Sequence, residues 1–181
     1  MIKFTPFPNL TTDRLALRQL KLEDENEIYF MRSDNEILEF IDIPVAKNLD
    51  DARAYIDMIK GGIAKDEWIF WGITLKEDFS KIIGTICLWN ISKKVNKAEI
   101  GYILHPNFQG KGMMQEATEK VIDYGFNTME LDIIDANLHT KNEKSLKLLK
   151  RNNFVFEREV ENMVVYSLSK NGGSLKYKEP A

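Results

Sequence analysis

Residues 97–126 read KAEIGYILHPNFQGKGMMQEATEKVIDYGF, and the order of elements in this stretch decides the architecture. Ala98 to Leu104 predicts a strand, closed by Pro106, which has no amide proton to give a sheet ladder. A glycine loop follows, formed by Gln109, Gly110, Lys111, Gly112, Met113 and Met114. Behind it Ala117, Val121, Ile122 and Phe126 recur at helical spacing, with charges on the other side. Two glycines flanking a lysine between a strand and a helix leave several backbone N–H groups unpaired at the positive end of the helix. Such a turn either takes a phosphate or pyrophosphate or merely caps the helix. The spacing is not that of a P-loop, GxxxxGK[ST], and the third glycine of the dinucleotide fingerprint is absent.

Composition sets the outer limits. A chain of 181 residues with 44% hydrophobic content is expected to form one domain around a sizeable core. A formal net charge of −3 argues against a nucleic-acid partner, which calls for a basic face, and agrees loosely with a cationic or amine substrate. The single cysteine, Cys87, excludes an intrachain disulfide framework and points to a reducing, cytoplasmic setting. No apolar run approaches the ~18 residues of a membrane span, and the opening MIKFTPFPNL lacks the order of a signal peptide. His105 and His139 are far apart and short of partner ligands, so no metal is expected. The many apolar strand residues permit a homodimer.

Outward from the central stretch, Leu10 to Gln19 suggests a first strand, and Leu22 to Ser33 a helix with acids in its first turn. Residues 37–46 read as irregular around Pro44, and Asn48 as the cap of a helix to about Ile63. Trp68–Leu75 and Lys81–Asn90 form a predicted hairpin. Beyond the central helix come a short strand, Asp132–Asn137, and a helix capped by Asn142. A closing hairpin, 154–160 with 163–168, turns at Glu161-Asn162. The domain is thus expected over residues 1–168, with 169–181 a mobile tail. The order β-α-α-β-β-β-α-β-α-β-β describes an α/β (α+β) chain with a mixed sheet and helices on both faces.

The loop QGKGMM resembles the Q/R-x-x-G-x-G/A loop of the GNAT N-acetyltransferases, with Gln109 and Gly112 matching and Met114 in the last small-residue position. A second block, NEKSLKLLKRNNF at 142–154, is similar to the family's N-x-x-A/S-x-x-L-Y-x-x-x-G-F segment. The patterns T-x-R-L-x-L-R at 12–18, A-E-I-G-Y-x-L-x-P at 98–106 and G-K-G-x-x-x-E-A at 110–117 resemble the branch that acetylates ribosomal-protein N-termini on alanine or serine. The resemblance implies a mostly antiparallel sheet in which the strand before the glycine loop splays from the strand after the helix. It also implies acetyl-CoA as cosubstrate, lying in that gap with its pyrophosphate on the loop. The candidate coenzyme-binding set is then Ile103, Leu104, Gln109, Gly110, Lys111, Gly112, Met113, Met114 and Asn142. In that set Ile103 and Leu104 offer backbone groups to the pantetheine arm, Lys111 lies near the phosphates, and the two methionines pack the helix start.

Direct acetyl transfer to an amine needs a neutral amine, a donor for the developing oxyanion and a proton for the leaving thiolate. Glu99 is the candidate base: it shares a strand face with Gly101 and Ile103, and burial in the cleft would raise its pKa. Its alternative reading is a solvated surface glutamate. The tyrosine that many relatives use as acid is replaced here by Leu149, and the resemblance offers Ser145 instead. Tyr102 and Tyr166 are further hydroxyls without positional support. The acceptor implied is a protein N-terminal α-amine. The alternatives are a small amine such as a polyamine or aminoglycoside, or coenzyme A binding with little catalysis.

Overall fold

A computed structural model of the chain describes residues 3–172. Eight strands form one sheet in the order β1-β2-β3-β4-β5-β6-β8-β7. They are β1 (Leu10–Thr11), β2 (Leu15–Arg18), β3 (Ile69–Leu75), β4 (Asp78–Ser92), β5 (Lys97–Leu104), β6 (Ile133–His139), β7 (Val155–Val160) and β8 (Met163–Ser169). Five helices accompany them: α1 (Glu25–Ser33), α2 (Asn35–Leu38), α3 (Leu49–Ala64), α4 (Met113–Asn127) and α5 (Glu143–Arg151). Every neighbouring pair is antiparallel except β5 and β6. The mixed, mostly antiparallel sheet expected from the element order is therefore what forms.

Local chemistry explains most element ends. The Asn48 side chain accepts from the Asp51 amide at 3.0 Å and starts α3; the Asn142 side chain accepts from the Ser145 amide at 3.1 Å and starts α5. Gly112 starts α4 in a left-handed conformation, φ +74°, which a residue with a Cβ adopts only at a cost. Asn153, after α5, takes the same conformation, φ +63°.

Three expectations need correction. The single strand over Leu10–Gln19 is two short antiparallel strands, because Thr12 turns the chain: its hydroxyl accepts from the Leu15 amide and its own amide bonds the Leu15 carbonyl. Residues 37–46 are not wholly irregular, since Asp34 accepts from the amides of Glu36 and Ile37 and nucleates the one-turn helix α2. The first helix begins as a 3₁₀ turn, Leu22–Asp24, before α1. Of the tail expected from residue 169, Ser169 closes β8 and 173–181 lie outside the described residues.

The sheet buries both faces. Strand alternation puts Trp71, Leu88, Ala98, Ile100 and Ile134 on the side packed by α4, where Trp71 meets the Tyr124 ring edge-on at 5.3 Å. Cys87 and Glu99 point the other way, toward the side where α1 and α3 lie and Tyr55 of α3 acts on Cys87. A buried ion pair fastens the start of α1 to the sheet. Arg18 at the end of β2 grips Asp24 through two bonds of 2.8 and 2.7 Å, and Asp24 also accepts from the Lys21 amide at 2.8 Å. Both side chains are nearly inaccessible.

Removing one partner of a buried pair strands the other charge, which costs about 3–5 kcal/mol. Asp24→Ala is therefore expected to destabilise the fold by about that much in urea unfolding. The double variant Arg18→Met, Asp24→Leu is expected to lose distinctly less.

Candidate active site

The site begins where two strands part. β5 and β6 pair over three residue pairs only, Lys97 with Ile133, Ala98 with Ile134 and Glu99 with Asp135. Past Glu99, β5 continues to Leu104 against β4, and β6 continues to His139 against β8. The sheet is thus split down its middle from Glu99 onward.

Antiparallel alternation fixes which backbone groups face the split. The His105 amide donates to Ile83 O at 2.9 Å, so odd-numbered residues of β5 exchange bonds with β4. The even-numbered residues turn away from β4: the Ile100 amide is taken by β6 in the last parallel pair, while the Ile100 carbonyl and the backbone groups of Tyr102 and Leu104 face the gap. This corrects the expectation for Ile103, whose backbone is spent on β4. Leu104 does face the gap, but its carbonyl accepts from the Gln109 Nε2 at 3.0 Å. Gln109 also accepts from Lys144 at 3.1 Å, tying the loop to α5.

Below the split lies the glycine loop. The amides of residues 110–115 find no backbone acceptor among the described residues, and Glu116 N to Gly112 O at 3.1 Å is the first bond of the helix. Gly110 and Gly112 both have φ +74°, and a Cβ on Gly110 would meet open space. The result is a row of amides without backbone acceptors at a helix N-terminus, the geometry of an anion cradle. Met114 is buried in the core beneath it and Met113 is partly buried against that core. Lys111 folds back, its Nζ donating to Asn107 O at 2.8 Å over the Phe108 ring.

On the face carrying Glu99 the chemistry changes. Glu99 is 9% exposed, so the solvated-glutamate alternative is overturned: the register with β6 covers it. Burial raises its pKa; the Asn137 and Asn90 side chains pull it down, Asp135 pushes it up, and Lys97 pulls it down, leaving it above the ordinary value. Asp135 is itself buried and held by Lys97 Nζ and Ser167 Oγ, both at 2.7 Å. Trp89, paired with Glu99 across β4 and 42% exposed, stands over Gly101 on this face. Cys87 lies buried there, its Sγ against Gly101 O at 3.4 Å, and burial drives its thiol pKa up. That environment suits packing, not nucleophilic attack.

The opposite face holds the hydroxyls. Tyr102, three residues from Glu99 and hence on the other side of β5, is pushed up to about 12 by burial, with Ser145 pulling the other way. Ser145 sits in the first turn of α5, beside the gap, where Asn142 caps the helix. Leu149, at the position of the missing tyrosine, is fully buried core. Tyr166 is buried against Phe156. Glu99 and Ser145 therefore flank the split from its two faces.

Three groups here escaped the sequence reading. Asn90 has a left-handed φ of +49° in a strand irregularity, and Asn137 is the second residue of β6 past the last pair with β5. Arg14 reaches the glycine loop from the turn between β1 and β2. Arg14 was visible only as part of the T-x-R pattern, and the two asparagines not at all, since these contacts depend on register across strands. Among the described residues no group of three or more His, Cys, Asp or Glu is placed to hold a metal ion, and no helix is long and apolar enough to cross a membrane.

The sheet is thus split, with a row of unbonded amides at a helix N-terminus on one flank and a buried carboxyl at its apex. The acetyltransferase (GNAT) domain description matches residues 14–155. An uncharacterized N-acetyltransferase, p20 of Bacillus licheniformis, is 36% identical over 150 residues, covering 83% of each chain. A second, YoaA of Bacillus subtilis, is 33% identical over 148 residues, 82% of this chain and 83% of its own. Among solved structures, the ribosomal-protein-S5-alanine acetyltransferase of Vibrio fischeri superposes with a TM-score of 0.79 at 24% identity, over 91% of this chain and 97% of that one. The chain belongs to the GNAT acetyltransferase family and is an N-acetyltransferase.

The raised Glu99 pKa has a measurable sign. A carboxyl that binds its proton more tightly folded than unfolded stabilises the fold below its unfolded pKa and loses that contribution as pH rises through the folded one. Glu99→Gln is expected to have a higher thermal midpoint than the parent at pH 7, with the gap closing below pH 4. Equal midpoints at both pH values would contradict the buried, ionised placement.

Proposed function

We propose that this enzyme transfers acetyl from acetyl-CoA directly to a protein N-terminal α-amine of the ribosomal-protein type, with no acyl-enzyme. The observation that carries the reading is Glu99, buried at the apex of the split, with hydroxyls on the far side.

The residues present fit coenzyme A. The unbonded amides of 110–115 suit its pyrophosphate, and Gly110 and Gly112 leave no Cβ in the way. The gap-facing Ile100 carbonyl and the Tyr102 amide and carbonyl suit an extended amide-bearing arm laid alongside β5 as a further strand. Asn142, Met113, Met114 and Lys111 complete the walls of the loop and the neighbouring helix start. When bound, the coenzyme supplies an acetyl group already activated as a thioester.

The chain's own groups then divide the work. Glu99 takes the proton from an incoming ammonium, directly or through water. Its raised pKa brings it nearer the operating pH than a surface carboxylate, which favours proton transfer. Asn90 and Asn137 orient its carboxylate, while Asp135, neutralised by Lys97, holds the strand register beneath it. Ser145 gives a proton toward the departing sulfur, with the Tyr102 phenol beside it. Holding both substrates in the split supplies the proximity that much of such catalysis rests on. The patterns at 12–18, 98–106 and 110–117 support the N-terminal acceptor.

Release of free thiol from acetyl-CoA, measured against N-terminal peptides, polyamines and aminoglycosides, tests the acceptor. Turnover confined to peptides beginning with alanine or serine is expected. Turnover confined to a small amine would overturn the acceptor, and coenzyme binding without any turnover would leave a binding protein. Glu99→Gln is expected to lower kcat by about 10²-fold or more near neutral pH, with the loss shrinking at high pH, where the free amine is abundant. Coenzyme affinity should be unchanged. Gly112→Glu should abolish coenzyme binding in calorimetry by placing a side chain and a negative charge in the cradle.

A further inference from the structure

The motif T-x-R at 12–14 lies about a hundred residues from the glycine loop, yet the fold brings the two together. Glu116, in the first turn of α4, accepts from the Thr12 hydroxyl, from the Arg14 amide at 2.8 Å and from the Arg14 Nε at 2.7 Å. The Arg14 Nη1 continues to the Lys111 carbonyl at 3.0 Å. Burial would raise the Glu116 pKa, but the Thr12 hydroxyl and the two Arg14 donors outweigh it and hold the carboxyl below its ordinary value. A carboxylate so close to an anion cradle would repel phosphate if it stood alone; Arg14 cancels that charge. The guanidinium is not used up by this pairing. Its Nη2 has no hydrogen-bond partner among the described residues, stands 3.5 Å from the position a Cβ on Gly112 would take, and belongs to a half-exposed side chain.

We propose that Arg14 is a coenzyme-binding residue: anchored by Glu116 and Lys111, it presents Nη2 to the phosphates of coenzyme A at the start of α4. Lys111, the cation that the loop itself carries, folds back onto the Asn107 carbonyl, so the fixed side-chain donor at the cradle comes from the β1–β2 turn. A guanidinium held at two points offers a fixed donor to a phosphate oxygen, which a mobile lysine does not. The inference rests on the loop being the coenzyme site.

Calorimetry with coenzyme A and with 3′-dephospho-coenzyme A, and displacement by pantetheine, tests it in the full chain. Wild-type protein that binds no coenzyme A would overturn the site itself. Given wild-type binding, Arg14→Ala is expected to weaken both phosphate-bearing ligands by about 10- to 100-fold, the range of one charge-assisted hydrogen bond. Pantetheine, which lacks the pyrophosphate, should be unaffected, and Arg14→Lys should recover part of the loss. Unchanged coenzyme A affinity in Arg14→Ala would overturn the assignment. So would an equal loss with pantetheine, which would mean a misassembled loop and not a missing phosphate contact. Because Arg14→Ala leaves Glu116 partly unpaired, the double variant Arg14→Ala, Glu116→Gln serves as the folded control. It should show the same ligand selectivity of loss, and full recovery of coenzyme A affinity in it would overturn the proposal.

Discussion

The decisive constraint is the shortness of one ladder: β5 and β6 share three residue pairs and then separate. Each strand remains paired on its far side beyond the split, β5 with β4 and β6 with β8, so the split costs the sheet little order. The inner edges, however, are left with unpaired amides and carbonyls, and buried groups of that kind need partners. The helices make the split tolerable, because α4 connects the two strands and covers their common apolar face.

At the apex the last shared pair joins two acids, Glu99 and Asp135. Two buried carboxyls in one pair would repel strongly in a low-dielectric setting. The conflict is relieved by Lys97 and Ser167 on Asp135 and by the Asn90 and Asn137 side chains on Glu99. What remains is an asymmetry: one acid is fixed as an ion-pair partner, and the other keeps a raised affinity for a proton.

Local features were readable in the sequence. The strand, the glycine loop and the helix between 97 and 127 lie where the pattern put them, and the caps Asn48 and Asn142 bond the amides expected of them. These depend on neighbours within a few residues. The burial of Glu99 was not readable, because it depends on a register set by β6 some 35 residues later. Nor was the division of Ile103 from Tyr102, since alternation tells which residues share a face but not which edge bonds to β4. The first strand was misread for a related reason. Thr12 to Arg14 looks extended in isolation; the Thr12–Leu15 bonds close the turn, and Glu116, far along the chain, takes its remaining donors.

The open edge of β5 has a consequence for how such a protein changes over time. A partner gripped by main-chain amides and carbonyls is gripped by atoms that every residue type except proline carries. Substitution at Tyr102 and its neighbours therefore leaves the gap-facing backbone groups largely intact. The other face of the split is lined by side chains, Trp89, Asn90, Glu99 and Asn137, each of which a single codon change replaces. In the proposed arrangement one half of the reaction is written in the backbone and the other in the side chains, so the scaffold can keep its activated donor while its acceptor drifts.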